Sequence, residues 1–322
     1  MDASLWTVVP PPDRLAEPEG FVVVLEPRDR IHFLDWGGPD GGPEARLGSL
    51  LVHGIGGTAW EWTPVARRLR SIGRVVAMDL RGHGLSDAPI AGYELEQLAE
   101  DAIAVAEGSG LLPFALGDDQ EVIGADHPGI VIAGHGFGAM VAAWTAAMIG
   151  RRCAGLVLVD GGWADLRETT GMEPDEWLRG LDEPPEVLRS MEAFLADREG
   201  FDPATWDADQ ERAARATVTE VPAGHLLPAI RPHALARTVE AMFAYRPSVI
   251  LPSVEAPIVA LMAADDEEGS RARALAIAQA SLVSAGRPPI REERYPGIGH
   301  NLMRYRPVQV TTAILTVAGR PA

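Results

Sequence analysis

Short apolar runs alternate with longer amphipathic stretches along most of the chain. Five runs rich in Val, Ile and Leu are typical of strands buried on both faces: residues 49–52, 74–78, 130–133, 156–159 and 258–262. Two earlier runs, residues 21–25 and 30–36, predict a hairpin-like pair at one edge of the same sheet.

Between these runs the apolar residues recur at helical spacing. The predicted helices are residues 58–71, 95–108, 137–149, 271–284 and 307–317. Alternating strands and helices predict an α/β fold, with a mostly parallel sheet flanked by helices on both faces. Residues 161–254 interrupt the alternation, with several Pro-containing acidic stretches and apolar residues at helical spacing. We therefore expect a core domain of residues 1–160 and 255–322, with 161–254 inserted as a helical cap.

Composition narrows the classes of function. Of the 322 residues, 28 are basic and 46 acidic, which gives a net charge of -18 and disfavours nucleic-acid and membrane partners. All the basic residues are arginine, so neither a Schiff-base lysine nor a lysine phosphate loop is present. Cys153 is the single cysteine, and the N-terminal residues do not resemble a signal peptide. The expected location is the cytoplasm.

Glycine-rich and polar residues follow several of the predicted strands. His53-Gly54-Ile55-Gly56-Gly57 follows residues 49–52, and Gly134-His135-Gly136-Phe137-Gly138 follows 130–133. Asp265 and Asp266 follow residues 258–262, and His300 lies near the end of the chain. Because ligands bind at the carboxyl ends of strands in an open parallel sheet, we expect these residues to share one site.

The order and spacing of these motifs resemble the α/β-hydrolase family over nearly the whole chain. Residues 53–57 resemble the oxyanion loop of that family, residues 79–87 its Arg-Gly-His-Gly-x-Ser turn, and residues 134–138 its nucleophile elbow. The resemblance implies that Asp266 is the acid and His300 the base, with Asp265 as an alternative acid. It also implies an oxyanion hole formed by the amides of Ile55 and Phe137.

One departure from the family pattern changes the expected mechanism. The central elbow position is Gly136, so it carries no nucleophile and neither an acyl-enzyme nor an alkyl-enzyme can form there. Removing the nucleophile of a serine triad costs about 10⁶ in turnover, while the oxyanion hole and binding retain roughly 10³ to 10⁴ over water. Glycine nevertheless suits the strained backbone of an elbow, so the turn itself is expected to form.

The leading hypothesis is a hydrolase for a small, mainly apolar ester, lactone or related carbonyl compound. In it, Asp266 orients His300, and water or the substrate replaces the missing serine. A ligand-binding protein without catalysis and a proton-transfer enzyme such as a lyase, hydratase or cyclase are the alternatives. Replacement of a natural serine by Gly136 is a third possibility. The residues indicate no requirement for a nicotinamide, flavin, pyridoxal or metal cofactor, and they do not determine the oligomeric state.

The remaining candidates divide into substrate contacts and structural groups. The expected substrate contacts are Gly54 and Trp163, which is the first aromatic residue after the apolar run of residues 156–159. Asp160 is an alternative acid, with capping of the inserted segment as its preferred role. The polar residues expected to satisfy backbone groups or pack beside the elbow are His53, His83, Ser86 and His135. His225 and His233 do not match a metal-ligand spacing.

Overall fold

The computed structural model describes residues 9–25, 28–39, 48–114, 129–263 and 269–317. Within them lies an eight-stranded sheet. Its strands are β1 Glu19–Val24, β2 Arg30–Asp35, β3 Gly48–Val52, β4 Val75–Met78, β5 Ile130–His135, β6 Cys153–Val159, β9 Ile258–Met262 and β10 Arg291–Arg294. Their order in the sheet is β1-β2-β4-β3-β5-β6-β9-β10.

The sheet is parallel from β4 through β10, and only the pairs β1–β2 and β2–β4 are antiparallel. This confirms the mostly parallel sheet and the edge pairing of the first two strands. Because β3, β5, β6 and β9 are neighbours that run in the same direction, the segments following them meet at one edge of the sheet.

Helices cover both faces of the sheet. Those of the core are α1 Thr63–Leu69, α2 Leu95–Gly108, α3 Phe137–Ile149, α10 Ser270–Ser284, α11 Leu302–Tyr305 and α12 Pro307–Val317. Successive strand residues point to opposite faces of the sheet, and each face has its own hydrophobic core. Leu50 packs on the face covered by α2, α3 and α10, whereas Leu51 packs on the face covered by α1 and α12. None of the helices described is long and apolar enough to cross a membrane.

Residues 161–254 lie between β6 and β9. They contain α4 Leu166–Thr170, α5 Pro174–Arg179, α6 Met191–Gly200, α7 Ala208–Ala216, α8 Pro232–Ala244 and α9 Pro247–Ile250. A two-stranded antiparallel sheet, β7 Val218–Glu220 with β8 Leu226–Pro228, adds an element that the helical pattern did not predict. Asp165, rather than Asp160, caps the first of these helices, since its carboxylate accepts the amides of Arg167 and Glu168.

Two further elements differ from the predicted ones. The stretch predicted as one helix over residues 58–71 begins as a 3₁₀ helix, Ala59–Trp62, and becomes α-helical only at Thr63. The strand β10 was not predicted, because all four of its residues are charged. As an edge strand it has no need of the apolar pattern that marks the central strands.

Candidate active site

The sharp turn between β5 and α3 is centred on Gly136. Its backbone has φ 53° and ψ -114°, a region that favours glycine. Gly138 is equally constrained, because a Cβ there would collide with the backbone carbonyls of Val52 and His53. The turn therefore folds as the elbow that the sequence predicts, and α3 packs directly against the end of β3.

His300 faces this corner from the loop between β10 and α11. Its Nε2 lies 3.1 Å from the position that a Cβ would take at Gly136, while the Cα of Gly54 lies 3.9 Å from the same position. The His300 side chain is 60% exposed, so water and small molecules can reach the ring. The structure thus brings the predicted base and the side-chain-free elbow together beside the loop that contains Gly54.

Asp160 holds the other side of the imidazole. Its Oδ2 accepts a hydrogen bond of 2.5 Å from Nδ1 of His300. Its Oδ1 accepts the amide of Ala263 and pairs with the guanidinium of Arg271. With the proton on Nδ1, the Nε2 that faces Gly136 is a proton acceptor.

The charge of Asp160 is stabilised despite burial. Burial raises the pKa of this carboxyl, but the hydrogen bond from His300 and the charges of His300 and Arg271 outweigh it, so that the pKa is lowered from its usual range. Asp160 directly follows β6 and has φ 49°, which is unusual for a residue other than glycine. A strained, buried and charged residue at the carboxyl end of a strand is typical of a functional site.

Asp266 and Asp265, the acids expected from the family register, lie outside the described residues. The Nδ1 that Asp266 was expected to hold is bonded to Asp160, which the sequence analysis gave as an alternative acid with capping as its preferred role. The physical reason is adjacency: β6 lies directly beside β5, so the residue after β6 is next to the elbow. The sequence did contain a signal for this role: Asp160 directly follows the apolar run of residues 156–159, which places a carboxylate at the carboxyl end of a buried strand.

His135 lies against the base. The centroids of the His135 and His300 rings are 4.3 Å apart, and Nε2 of His135 donates to the backbone carbonyl of His300 at 3.1 Å. Burial, followed by the charge of His300, lowers the pKa of His135 to about 3, so its ring is neutral at physiological pH. This arrangement makes His135 a support for the position of His300.

The loop opposite the elbow forms a tight turn. The amide of Gly57 donates to the carbonyl of Gly54 at 3.1 Å, which leaves the amide of Ile55 outside the hydrogen bond that closes the turn. His53 braces the turn, because Nδ1 donates to the Gly54 carbonyl at 2.7 Å and Nε2 accepts the amide of Leu80 at 3.0 Å. Across the corner, the amide of Phe137 is the first of α3 and has no partner within the helix.

The polar turn after β4 is structural. Asp79 accepts the amides of Ala59 and Leu85 and binds Nδ1 of His32 at 2.8 Å, while the hydroxyl of Ser86 donates to the Asp79 carbonyl. His83 donates from Nδ1 to the carbonyl of Arg81, and burial lowers its pKa to about 3. These side chains satisfy backbone groups, as the sequence predicts for this turn.

Two cavities adjoin the site. The first, of about 300 Å³, lies between the turn of residues 55–57 and the inserted segment, where Leu181, Leu188 and Phe194 contribute apolar walls. The second, of about 310 Å³, lies beside Asp160 and His300 and is lined by Trp163 and Arg271. In the described ranges, no group of three or more His, Cys, Asp or Glu side chains could hold a metal ion.

Comparisons with known proteins identify the family and the fold. The sequence profile of the Alpha/beta hydrolase family matches residues 50–313, which is most of the chain. The chain belongs to this family. Two solved structures resemble it over nearly their whole length. E-2-(acetamidomethylene)succinate hydrolase superposes with a TM-score of 0.71 at 21% identity, covering 94% of this chain and 99% of that one. The thioesterase domain from the curacin biosynthetic pathway gives a TM-score of 0.66 at 19% identity, covering 93% and 100%.

Relatives in sequence match over shorter regions. The 2-(acetamidomethylene)succinate hydrolase of Mesorhizobium japonicum is 28% identical over 150 residues, 46% of this chain and 48% of that protein. A non-heme chloroperoxidase of Streptomyces lividans is 37% identical over 82 residues, 25% of this chain and 28% of that protein. The matched regions thus span less than half of either relative. The family assignment therefore rests on the profile match over residues 50–313.

Proposed function

We propose that this member of the family hydrolyses small, mainly apolar esters or lactones with water as the direct nucleophile. The observation that carries the proposal is the position of His300, whose Nε2 faces the elbow corner while Nδ1 is held by Asp160. A base oriented in this way, opposite a residue with no side chain, has room to bind and activate a water molecule.

The proposed reaction has two proton transfers and no covalent intermediate. His300 takes a proton from water as the water oxygen bonds to the carbonyl carbon, and the amides of Ile55 and Phe137 stabilise the oxyanion. Asp160 stays ionised and stabilises the imidazolium. When the tetrahedral intermediate collapses, the bond to the leaving oxygen breaks and His300 returns the proton to that oxygen. The products are a carboxylic acid and an alcohol.

In this proposal, the inserted segment determines which substrates are hydrolysed. Residues 161–254 act as a cap, and the cavity beneath them takes the apolar part of the substrate. Trp163 and Gly54 remain the proposed substrate contacts on either side of the elbow. The roughly 10²- to 10⁴-fold contribution expected of general base catalysis makes this a slow enzyme beside serine hydrolases.

A panel of p-nitrophenyl esters and lactones tests the proposal, with intact-mass spectrometry during turnover. We expect hydrolysis above the buffer rate, no acyl adduct on the protein, and no labelling by a fluorophosphonate. An acyl adduct that forms and decays at the turnover rate would contradict the direct attack of water. Binding of the esters without any turnover would instead support a ligand-binding protein.

A further inference from the structure

Glu61 lies at the wall of the first cavity, beside the proposed oxyanion turn. It belongs to the 3₁₀ helix Ala59–Trp62 and lines the cavity together with Ile55, Gly56 and Gly57. Its carboxyl oxygens lie 2.6 and 2.7 Å from the position that a Cβ would take at Gly57. The carboxyl occupies the space that a side chain at position 57 would take, so it lies directly against the turn.

The carboxyl of Glu61 has no partner in the part of the chain that the structure describes. Among the described residues it makes no hydrogen bond and no ion pair. Burial, with a smaller contribution from the charge of Asp79, raises its pKa to about 8. The raised pKa favours the neutral carboxylic acid, which can donate one hydrogen bond.

The charged groups around Glu61 are satisfied elsewhere. The elements packed against its helix carry the following charged groups: Arg30, His32, Asp35, Arg67, Arg68, Asp209, Glu211, Arg212, Arg215 and Arg304, and Asp79 directly follows β4. The ion pairs are His32 with Asp79, Arg30 with Asp87, Asp35 with Arg74, Arg67 with Asp209, Glu211 with Arg215, and Arg212 with Glu17. Arg68 donates to the backbone carbonyl of Pro10, and Arg304 binds Thr205 and backbone carbonyls.

The far side of the cavity is satisfied in the same way. Arg198 lines it together with Glu183, and the two form an ion pair. Each of these neighbours already has a partner, which leaves the Glu61 carboxyl as the unpaired polar side chain of this cavity among the described residues.

We propose that Glu61 recognises a neutral hydrogen-bond acceptor on the substrate, such as an ether, keto or second carbonyl oxygen. The inference rests on the proposed function, which places the reacting carbonyl at Gly136 and the rest of the substrate in this cavity. Leu181, Leu188 and Phe194 surround that part of the substrate with apolar walls, so an acceptor oxygen there loses its water and gains the Glu61 donor in exchange. The substrates in this account are esters or lactones with a second oxygen function near the reacting carbonyl.

Two non-hydrolysable ketones test this without any turnover. α-Methoxyacetophenone and butyrophenone differ only by an ether oxygen in place of a methylene group. At pH 6 we expect the wild-type protein to bind the methoxy ketone about 3- to 10-fold more tightly than butyrophenone, the range expected for one neutral hydrogen bond. The preference should disappear above about pH 9, where Glu61 is ionised and no longer donates.

Three variants assign the preference to Glu61. Glu61→Gln keeps a donor that does not titrate, so its preference should persist at both pH values, whereas Glu61→Leu should show none. Glu176→Gln removes an exposed carboxylate of the inserted segment and should behave as the wild type. A wild-type ratio in Glu61→Leu, a pH-dependent ratio in Glu61→Gln, or binding of neither ketone by the wild type would overturn the inference. Since ester hydrolysis is measured separately, each of these results leaves the proposed hydrolysis standing or failing on its own.

Discussion

Replacing Gly136 with serine supplies the nucleophile that the elbow lacks. The new Cβ would lie 3.1 Å from Nε2 and 3.6 Å from Cε1 of His300, and 3.9 Å from the Cα of Gly54. The imidazole must move by a few tenths of an ångström, and its 60% exposed side chain has the space to do so. The hydroxyl of the serine would then lie within hydrogen-bond reach of Nε2.

The substitution has a cost and a gain that can be measured separately. A side chain at φ 53° costs about 1–3 kcal/mol of stability, which lowers the unfolding temperature by about 2–4 °C per kcal/mol. The rise in turnover cannot exceed the ~10⁶-fold loss that is seen when the nucleophile is removed from a serine triad. With Asp160 and His300 already paired, we expect turnover of p-nitrophenyl butyrate to rise by about 10² to 10⁴.

Gly136→Ala is the matched control, because it has the same backbone strain and the same Cβ without a hydroxyl. Gly136→Ser should show a burst of p-nitrophenol, an acyl adduct in intact-mass spectra and fluorophosphonate labelling, and Gly136→Ala should show none of these. If the folded serine variant is no more reactive than the alanine variant, the base and the elbow do not form a nucleophile–base pair.

The buried carboxylates Asp160 and Asp101 have measurable effects on turnover and stability. Asp160→Asn should lower ester turnover by about 10² to 10⁴, because the change from aspartate to asparagine in a serine triad costs about 10⁴; an unchanged kcat would mean that another acid serves His300. The lowered pKa of Asp160 contributes stability that is present above about pH 4 and lost as pH falls further, since the unfolded state then binds more protons. As the pH falls from 5 to about 3, the unfolding free energy should therefore decrease less steeply in Asp160→Asn than in the wild type. The same dependence on pH in both proteins would contradict a lowered pKa of Asp160. Arg81→Met should lower the unfolding free energy by about 3–5 kcal/mol, because Arg81 holds the fully buried Asp101 through two hydrogen bonds of 2.8 Å. Arg237→Met removes an exposed ion pair and should leave the unfolding free energy almost unchanged, so equal losses in the two variants would show that burial does not set the cost.

Much of the fold followed from the apolar pattern alone. The central strands are buried on both faces, so nearly all of their residues are apolar and they stand out in the sequence as continuous apolar runs. The edge strand β10 lacks that signal because its residues are charged. The hairpin β7–β8 was missed for a similar reason, since each of its strands has only three residues.

The site was predicted in part. Gly136 and His300 stand in motifs whose order along the chain is informative, and the structure places them face to face. Asp160 was only the alternative acid, with capping as its preferred role, because the pairing of a histidine with a carboxylate 140 residues away depends on which strands are neighbours in the sheet. Glu61 had no sequence signal at all. Its proposed role depends on desolvation of its carboxyl in a cavity that forms only when the inserted segment packs over the turn of residues 55–57.

The most direct test of the account is the ratio of kcat/KM between the wild type and His300→Ala on p-nitrophenyl butyrate. His225→Ala, an exposed histidine of the inserted segment, is the matched control. Loss of the general base should lower kcat/KM by about 10²-fold or more, and the control should retain the wild-type value. Wild-type turnover that survives in His300→Ala would contradict the claim that this imidazole activates the attacking water.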